Sequence, residues 1–173
     1  SFRTGIELEA GYRIFKTLSV TGNVTVSANK INEFNEYIFN WDTYTEEKTP
    51  HKNTDLAFSP NIIASAGLKY EPLKNLSINL IGKHVGDQFL DNTSADTRKL
   101  NAYTTLNLQA QYTIKDVLFK EITIGLMVNN LLNESYENNG YTWGYIAGGE
   151  RTVENFYYAQ AGRNFMTRLL LKF

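Results

Sequence analysis

Arg163-Asn164-Phe165-Met166-Thr167-Arg168-Leu169-Leu170-Leu171-Lys172-Phe173 is the stretch whose alternation decides the fold. Phe165, Thr167, Leu169, Leu171 and Phe173 fall on one side of an extended ribbon. Asn164, Met166, Arg168 and Lys172 fall on the other, with Leu170 the one apolar exception. Successive side chains of a strand point to opposite faces, so one face is apolar and the other mostly polar. The ribbon closes on an aromatic residue without a polar tail. An outer-membrane β-barrel gives this pattern a physical reason: the apolar face meets lipid, the polar face meets the lumen, and the last aromatic sits at the membrane interface.

Six further segments repeat the pattern. Segment 4–14 puts Ile6, Leu8, Ala10, Tyr12 and Ile14 on one face, and 18–30 puts Leu18, Val20, Val24 and Val26 there. Segments 60–70 and 75–85 contribute Ile62, Ala64, Leu68 and Tyr70, then Leu76, Ile78 and Leu80. Segments 101–114 and 121–129 contribute Leu106, Leu108, Ala110 and Tyr112, then Ile122, Ile124, Leu126 and Val128. A period of two argues against helix. The connections alternate between short (15–17, 71–74, 115–120) and long (31–59, 86–100, 130–161). That is the arrangement of short periplasmic turns and long extracellular loops. The long segments show no clean period and are expected as loops. Tyr12, Phe15, Tyr70, Tyr112, Phe119 and Phe173, all near short turns, then form one interfacial belt. The competing fold is a soluble β-sandwich, whose strands also alternate but whose apolar faces meet each other.

The totals narrow the function classes. A net charge of −1, with no basic block, argues against nucleic-acid binding. Cysteine is absent, so disulfides and thiolate metal sites are excluded. Aromatics reach 13% while the mean hydropathy is −0.35, a combination that suits aromatic girdles around a wet interior. The prolines at 50, 60 and 72 are expected outside strands or at their starts. Ser1 stands in mid-strand with no export signal before it, and single-chain bacterial barrels have even strand counts. The reading therefore predicts the C-terminal part of a longer protein.

Two elements make the pattern specific. Val128-Asn129-Asn130-Leu131-Leu132-Asn133-Glu134-Ser135-Tyr136-Glu137 resembles the "NNLLNxxYE" element that opens the last extracellular loop of TonB-dependent outer-membrane receptors. Phe156-Tyr157-Tyr158-Ala159-Gln160-Ala161-Gly162-Arg163-Asn164-Phe165 resembles their "YPQAGRNF" entry into the final strand, with Ala159 where proline is common. Arg98-Lys99-Leu100-Asn101-Ala102-Tyr103-Thr104 is similar to a re-entry into an inner strand. The loop style resembles receptors of the Bacteroidetes group. The resemblance implies an all-β transmembrane antiparallel barrel of 22 strands with a plugged lumen. Residues 1–173 would be about the last seven strands, with the plug domain and N-terminal strands absent. It also implies the outer membrane of a Gram-negative bacterium as location. The implied activity is TonB-energised uptake of a scarce solute, foremost a ferric siderophore or other metal chelate, with haem, cobalamin or glycan as alternatives. The implied partners are membrane lipid, the TonB complex through the missing plug, and the small-molecule ligand. A passive pore or scaffold barrel is the other reading.

Candidate ligand contacts lie in the long segments. Trp41, Tyr44, Trp143, Tyr145, Tyr157 and Tyr158 offer large flat contact area at low entropy cost, against the alternative of loop packing or girdle. His51 could serve as an axial haem ligand, against the alternative of an ordinary surface histidine. Arg151, with Lys48, Lys52, Arg98 and Lys99, could attract an anionic complex, against ordinary solvated charge. Glu7, Glu9, Arg13, Lys69, Lys83, Gln109, Gln111 and Arg168 face the lumen or plug by parity. Two distant histidines, His51 and His84, form no metal signature, and no cofactor is expected. No nucleophile–base constellation is legible, so no catalysis is expected.

Overall fold

The computed structural model describes residues 1–173, which form twelve strands. β1 (Phe2–Phe15) and β2 (Leu18–Asn40) make the first hairpin, and β3 (Thr45–Asp55) turns back along the upper half of β2. β4 (Ile62–Leu73) and β5 (Leu76–Val85) follow, then the two-residue pair β6 (Gln88–Phe89) and β7 (Lys99–Leu100). β8 (Tyr103–Lys115) and β9 (Glu121–Asn129) form the next hairpin. β10 (Glu137–Ala147) and β11 (Glu150–Ala159) form an apical one, and β12 (Asn164–Lys172) returns beside β9.

Seven of these strands build one curved wall in the order β1-β2-β4-β5-β8-β9-β12, antiparallel throughout. Each expected membrane strand is one of them. The register shows why. Tyr12, Val20, Leu68, Leu80, Leu108, Val128 and Phe165 are successive cross-strand partners, one apolar row through all seven strands. The adjacent row, Arg13, Ser19, Lys69, Asn79, Gln109, Met127 and Met166, lies on the opposite face. A slip of one residue anywhere would carry a strand's apolar set to the wet side.

The wall is one layer. Only 14 of the 173 residues are buried, and the buried apolar ones, Ile38, Val85, Leu90 and Leu100, all lie at the loop end. A sandwich would bury its apolar faces between two sheets. Here they are open, Leu8 and Leu169 being 65% and 64% exposed. The sandwich is thereby excluded, and lipid is the solvent that fits this face.

Three expectations need correction. Segments 31–59 and 130–161 are largely strand: β2 continues unbroken to Asn40, and β3, β10 and β11 add three more. They hide their period because protein or water, not lipid, faces both sides. Pro72 lies within β4, since the turn is the dipeptide Lys74-Asn75. It is tolerated where the β4–β5 register shifts between Tyr70 and Leu73. Pro50 lies within β3, which pairs only with β2 and therefore has a free edge.

The lumen-assigned residues share the polar face. Glu7 and Glu9 lie opposite Thr25 and Asn23, and Lys83 lies between Ser65 and Thr105. Gln111 and Arg168 flank Gly125, whose missing side chain leaves room for Arg168 Nη2 to donate to Gln111 Oε1 at 3.1 Å. A depression of about 370 Å³ opens there, lined by Ser77, Asn79, Gln109, Gln111 and Arg168. At the opposite end of the strands from the long loops, Phe119 meets Phe173 edge to face at 5.0 Å.

Leu80→Arg places a charge mid-row on the apolar face and is expected to cost about 2–4 kcal/mol in a bilayer. Asn79→Arg, one residue away on the polar face, is expected to cost little. Urea titration of the barrel refolded into lipid vesicles checks the contrast, and equal losses would contradict the facing.

Candidate functional site

The three long connections converge above the wall. β10 pairs with the tip of β2 in parallel, Tyr145 with Phe39 and Ile146 with Asn40. The result is an apical sheet in the order β11-β10-β2-β3. Two backbone pairs make a short seam, and side chains reinforce it. Asp42 accepts from the backbone N–H groups of Gly148 and Gly149 at 2.9 and 2.8 Å. Both glycines have positive φ (64° and 76°), as the two-residue β10–β11 turn demands. These two N–H groups hold the Asp42 carboxyl below the usual carboxylate range. Trp41 N–H donates to the Ile146 carbonyl at 2.8 Å.

One face of this sheet carries a polar knot. Glu36 Oε1 accepts from Arg98 Nη1 at 2.8 Å and from Arg151 Nη2 at 2.7 Å. Its Oε2 lies 3.0 Å from His51 Nε2. Arg98 also donates to Asp91 Oδ2 at 2.6 Å. The carboxylate thus joins 31–59 (Glu36, His51), 86–100 (Arg98, Asp91) and 130–161 (Arg151). Burial alone would raise the Glu36 pKa, but hydrogen bonds from Arg98, His51 and Arg151 outweigh it and hold it at about 2. On the same face Asn155 Nδ2 donates to the Thr97 carbonyl at 2.6 Å, and His51 stacks on Phe34 at 5.0 Å.

The other face carries aromatics. Phe39 touches Trp41 edge to face at 4.7 Å, and Trp143 leans on Tyr145 at 4.9 Å. Tyr141 stacks on Phe156 at 4.7 Å and lies 6.3 Å from Tyr158. Register puts Tyr145 beside Phe39, so these groups form one wall. It is open: Trp41 and Trp143 are 51% and 52% exposed. Along the unbroken β2 this side is continuous with the polar face below.

Five of the eight candidate contacts, Trp41, Tyr44, Trp143, Tyr145 and Tyr158, belong to this wall. Tyr44 sits at the β2–β3 turn, 6.5 Å from Trp41. The other three point to the knot side: His51 and Arg151 hold Glu36, and Tyr157 lies one position out of phase with Phe156 and Tyr158. Of the other basic candidates, Arg98, Lys99 and Lys52 have carboxylate partners, while Lys48 has none. Phe39, Tyr141 and Phe156 were missed. The signal for them is the alternation Phe39/Trp41 and Tyr141/Trp143/Tyr145, legible once those segments are read as strands. His84, near the loop end of β5, lies 2.9 Å from Thr104 Oγ1 through Nδ1 and takes no part in the knot.

The model of the TonB-dependent receptor-like β-barrel matches residues 2–131. The chain belongs to that family. Its members are receptors and transporters of the Gram-negative outer membrane. No curated protein sequence matches the chain. Among solved structures, it is similar to the siderophore receptor PiuA from Acinetobacter baumannii, with TM-score 0.70 and 14% identity over 96% of this chain and 21% of that one. It is similar to the ferric citrate transporter FecA in its unliganded form, with TM-score 0.68 and 16% identity over 99% and 24%. For the ferric yersiniabactin uptake receptor FyuA from Yersinia pestis the values are 0.59 and 19% over 95% and 22%. At such identities the likeness is one of fold. The chain spans between a fifth and a quarter of the length of these receptors.

Glu36→Ala leaves the buried Arg98 with Asp91 alone and frees Arg151. We expect a local cost of about 3–5 kcal/mol, read as faster amide exchange across 86–100. Unchanged protection would contradict the knot. The pH dependence follows from the depressed carboxyl. Its stabilisation is present above the ordinary value of 4.5 and is lost as pH falls through about 2. Protection should therefore hold from neutral pH to about 4.5 and decline below it.

Proposed function

We propose that this chain is the C-terminal part of a 22-stranded outer-membrane receptor for TonB-energised uptake of a scarce solute, foremost a ferric siderophore or other metal chelate. The observation that carries the reading is the open aromatic wall, held in place by the Glu36 knot directly above a membrane-type strand wall. Loops pinned this way favour a binding mouth over an open pore. A receptor mouth needs pre-organised contact surface, because ordering loops at binding subtracts from affinity.

In this reading Trp41, Tyr44, Trp143, Tyr145 and Tyr158 contact the ligand, while Arg151 and His51 act indirectly by holding the loops. Glu7, Glu9, Arg13, Lys69, Lys83, Gln109, Gln111 and Arg168 face the lumen and hydrogen-bond a plug carried elsewhere in the protein. The plug passes the TonB contact, and the apolar rows meet lipid of the Gram-negative outer membrane. The role is transport without catalysis.

Trp143→Ala with Tyr145→Ala in the intact receptor is expected to weaken ligand binding by about tenfold or more, two stacked rings being worth roughly 1–3 kcal/mol. Equilibrium titration of the purified receptor with ferric chelates checks this. Unchanged affinity would remove the wall from the binding site.

A further inference from the structure

The charges of the chain are segregated. Segments 31–59, 86–100 and 130–161 hold thirteen of its 18 carboxylates but only five of its 17 Lys and Arg. The strand wall and its short turns have the reverse balance. Four of the five apical cations are committed inside the protein. Arg98 and Arg151 hold Glu36, Lys99 bridges Asp87 and Asp96, and Lys52 pairs with Glu33. Lys48 alone has no partner.

The acids are less committed. Glu46 is the cross-strand partner of Phe39, and Glu154 that of Trp143, so both carboxylates stand on the aromatic face. Both are exposed and neither has a salt-bridge partner, in contrast to Glu36. A flat ligand laid on Trp41 and Trp143 would lie beside these two carboxylates, with Lys48, opposite Tyr37, and the Glu33-paired Lys52 the cations of the β2–β3 hairpin on that face. A field of one sign over a concave surface raises the local concentration of opposite charge and repels its own. Like charges brought together without water between them cost several kcal/mol.

We infer that the ligand of this wall is a chelate without net negative charge, neutral or cationic, held by ring stacking on Trp41 and Trp143 with Glu46 and Glu154 accepting its donor groups. The inference rests on the receptor reading above and narrows it. Polyanionic ferric complexes are disfavoured, because Arg98 and Arg151 already hold the loops together, which leaves Arg163, between β11 and β12, as the arginine of the β11–β12 connection without a carboxylate partner. Freeing Arg98 or Arg151 would dismantle the knot that positions the wall.

The test uses the intact receptor containing this chain, purified in detergent, with two probes of similar size: a neutral ferric trihydroxamate and a trianionic ferric tris-catecholate. Affinity is read by tryptophan quenching and confirmed by competition. The neutral complex should bind about tenfold or more tightly than the trianion in the unmodified receptor. Glu46→Lys with Glu154→Lys should close or reverse that gap, and Glu46→Gln with Glu154→Gln should narrow it. A trianion that binds as tightly as the neutral complex, or more so, overturns the charge inference while the receptor reading stands. A preference for the neutral complex that neither double variant alters removes Glu46 and Glu154 as its source and overturns the assignment. Binding of neither complex overturns the inference together with the chelate reading.

Discussion

A backbone inside hydrocarbon must find all its hydrogen bonds within the protein, because no water is there to supply them. Everything else in this chain follows from that constraint. Between β1 and β12 each wall strand has its neighbour in an antiparallel ladder that shifts register only beside the short turns, which keep successive strands adjacent. With the ladder fixed, parity sorts the side chains. Tyr12 through Phe165 form an apolar row, and Arg13 through Met166 form the row facing the other way. β1 and β12 are the edge strands of this wall.

Above the wall the constraint relaxes, and a different physics takes over. The apical strands stand where side chains, not lipid, decide the arrangement. A two-residue parallel seam could not hold β10 to β2 unaided. Glu36 stabilises the junction by collecting Arg98, Arg151 and His51 on one carboxylate, and Asp42 does so at the tip by binding the Gly148-Gly149 turn. Removing one member of such a buried cluster leaves its partners' charge uncompensated, so the cluster holds the three connections as a unit. Here it leaves the aromatic side of the sheet exposed.

How much of this was legible in the sequence depends on which solvents bracket a strand. Lipid on one side and a wet lumen on the other impose a strict period of two. The seven wall strands and their faces could therefore be read from residues alone, down to the apolar set of β12, while the β4–β5 turn came out a few residues early. The apical strands have no such bracket. Glu33, Phe34, Glu36 and Tyr37 mix charge and ring on both faces, so β2 seemed to stop near Lys30 when it runs to Asn40. The knot was illegible for another reason. Glu36 and Arg151 are 115 residues apart, and no local pattern announces a contact of that separation. The same distance hid that His51 and Arg151, read as ligand candidates, each bond Glu36 through one nitrogen.

The most direct test of the account is a nitroxide scan along β5 and β8 in lipid vesicles, with one label per variant from residue 76 to 85 and from 104 to 113. Relaxation is measured against oxygen, which partitions into lipid, and against a water-soluble nickel chelate. The account predicts strict opposition. Labels at 78, 80, 106 and 108 should be relaxed by oxygen and shielded from nickel, and labels at 79, 81, 107 and 109 should show the reverse. Equal nickel accessibility on both faces would mean that water bathes both sides of the sheet, and the membrane wall would not stand.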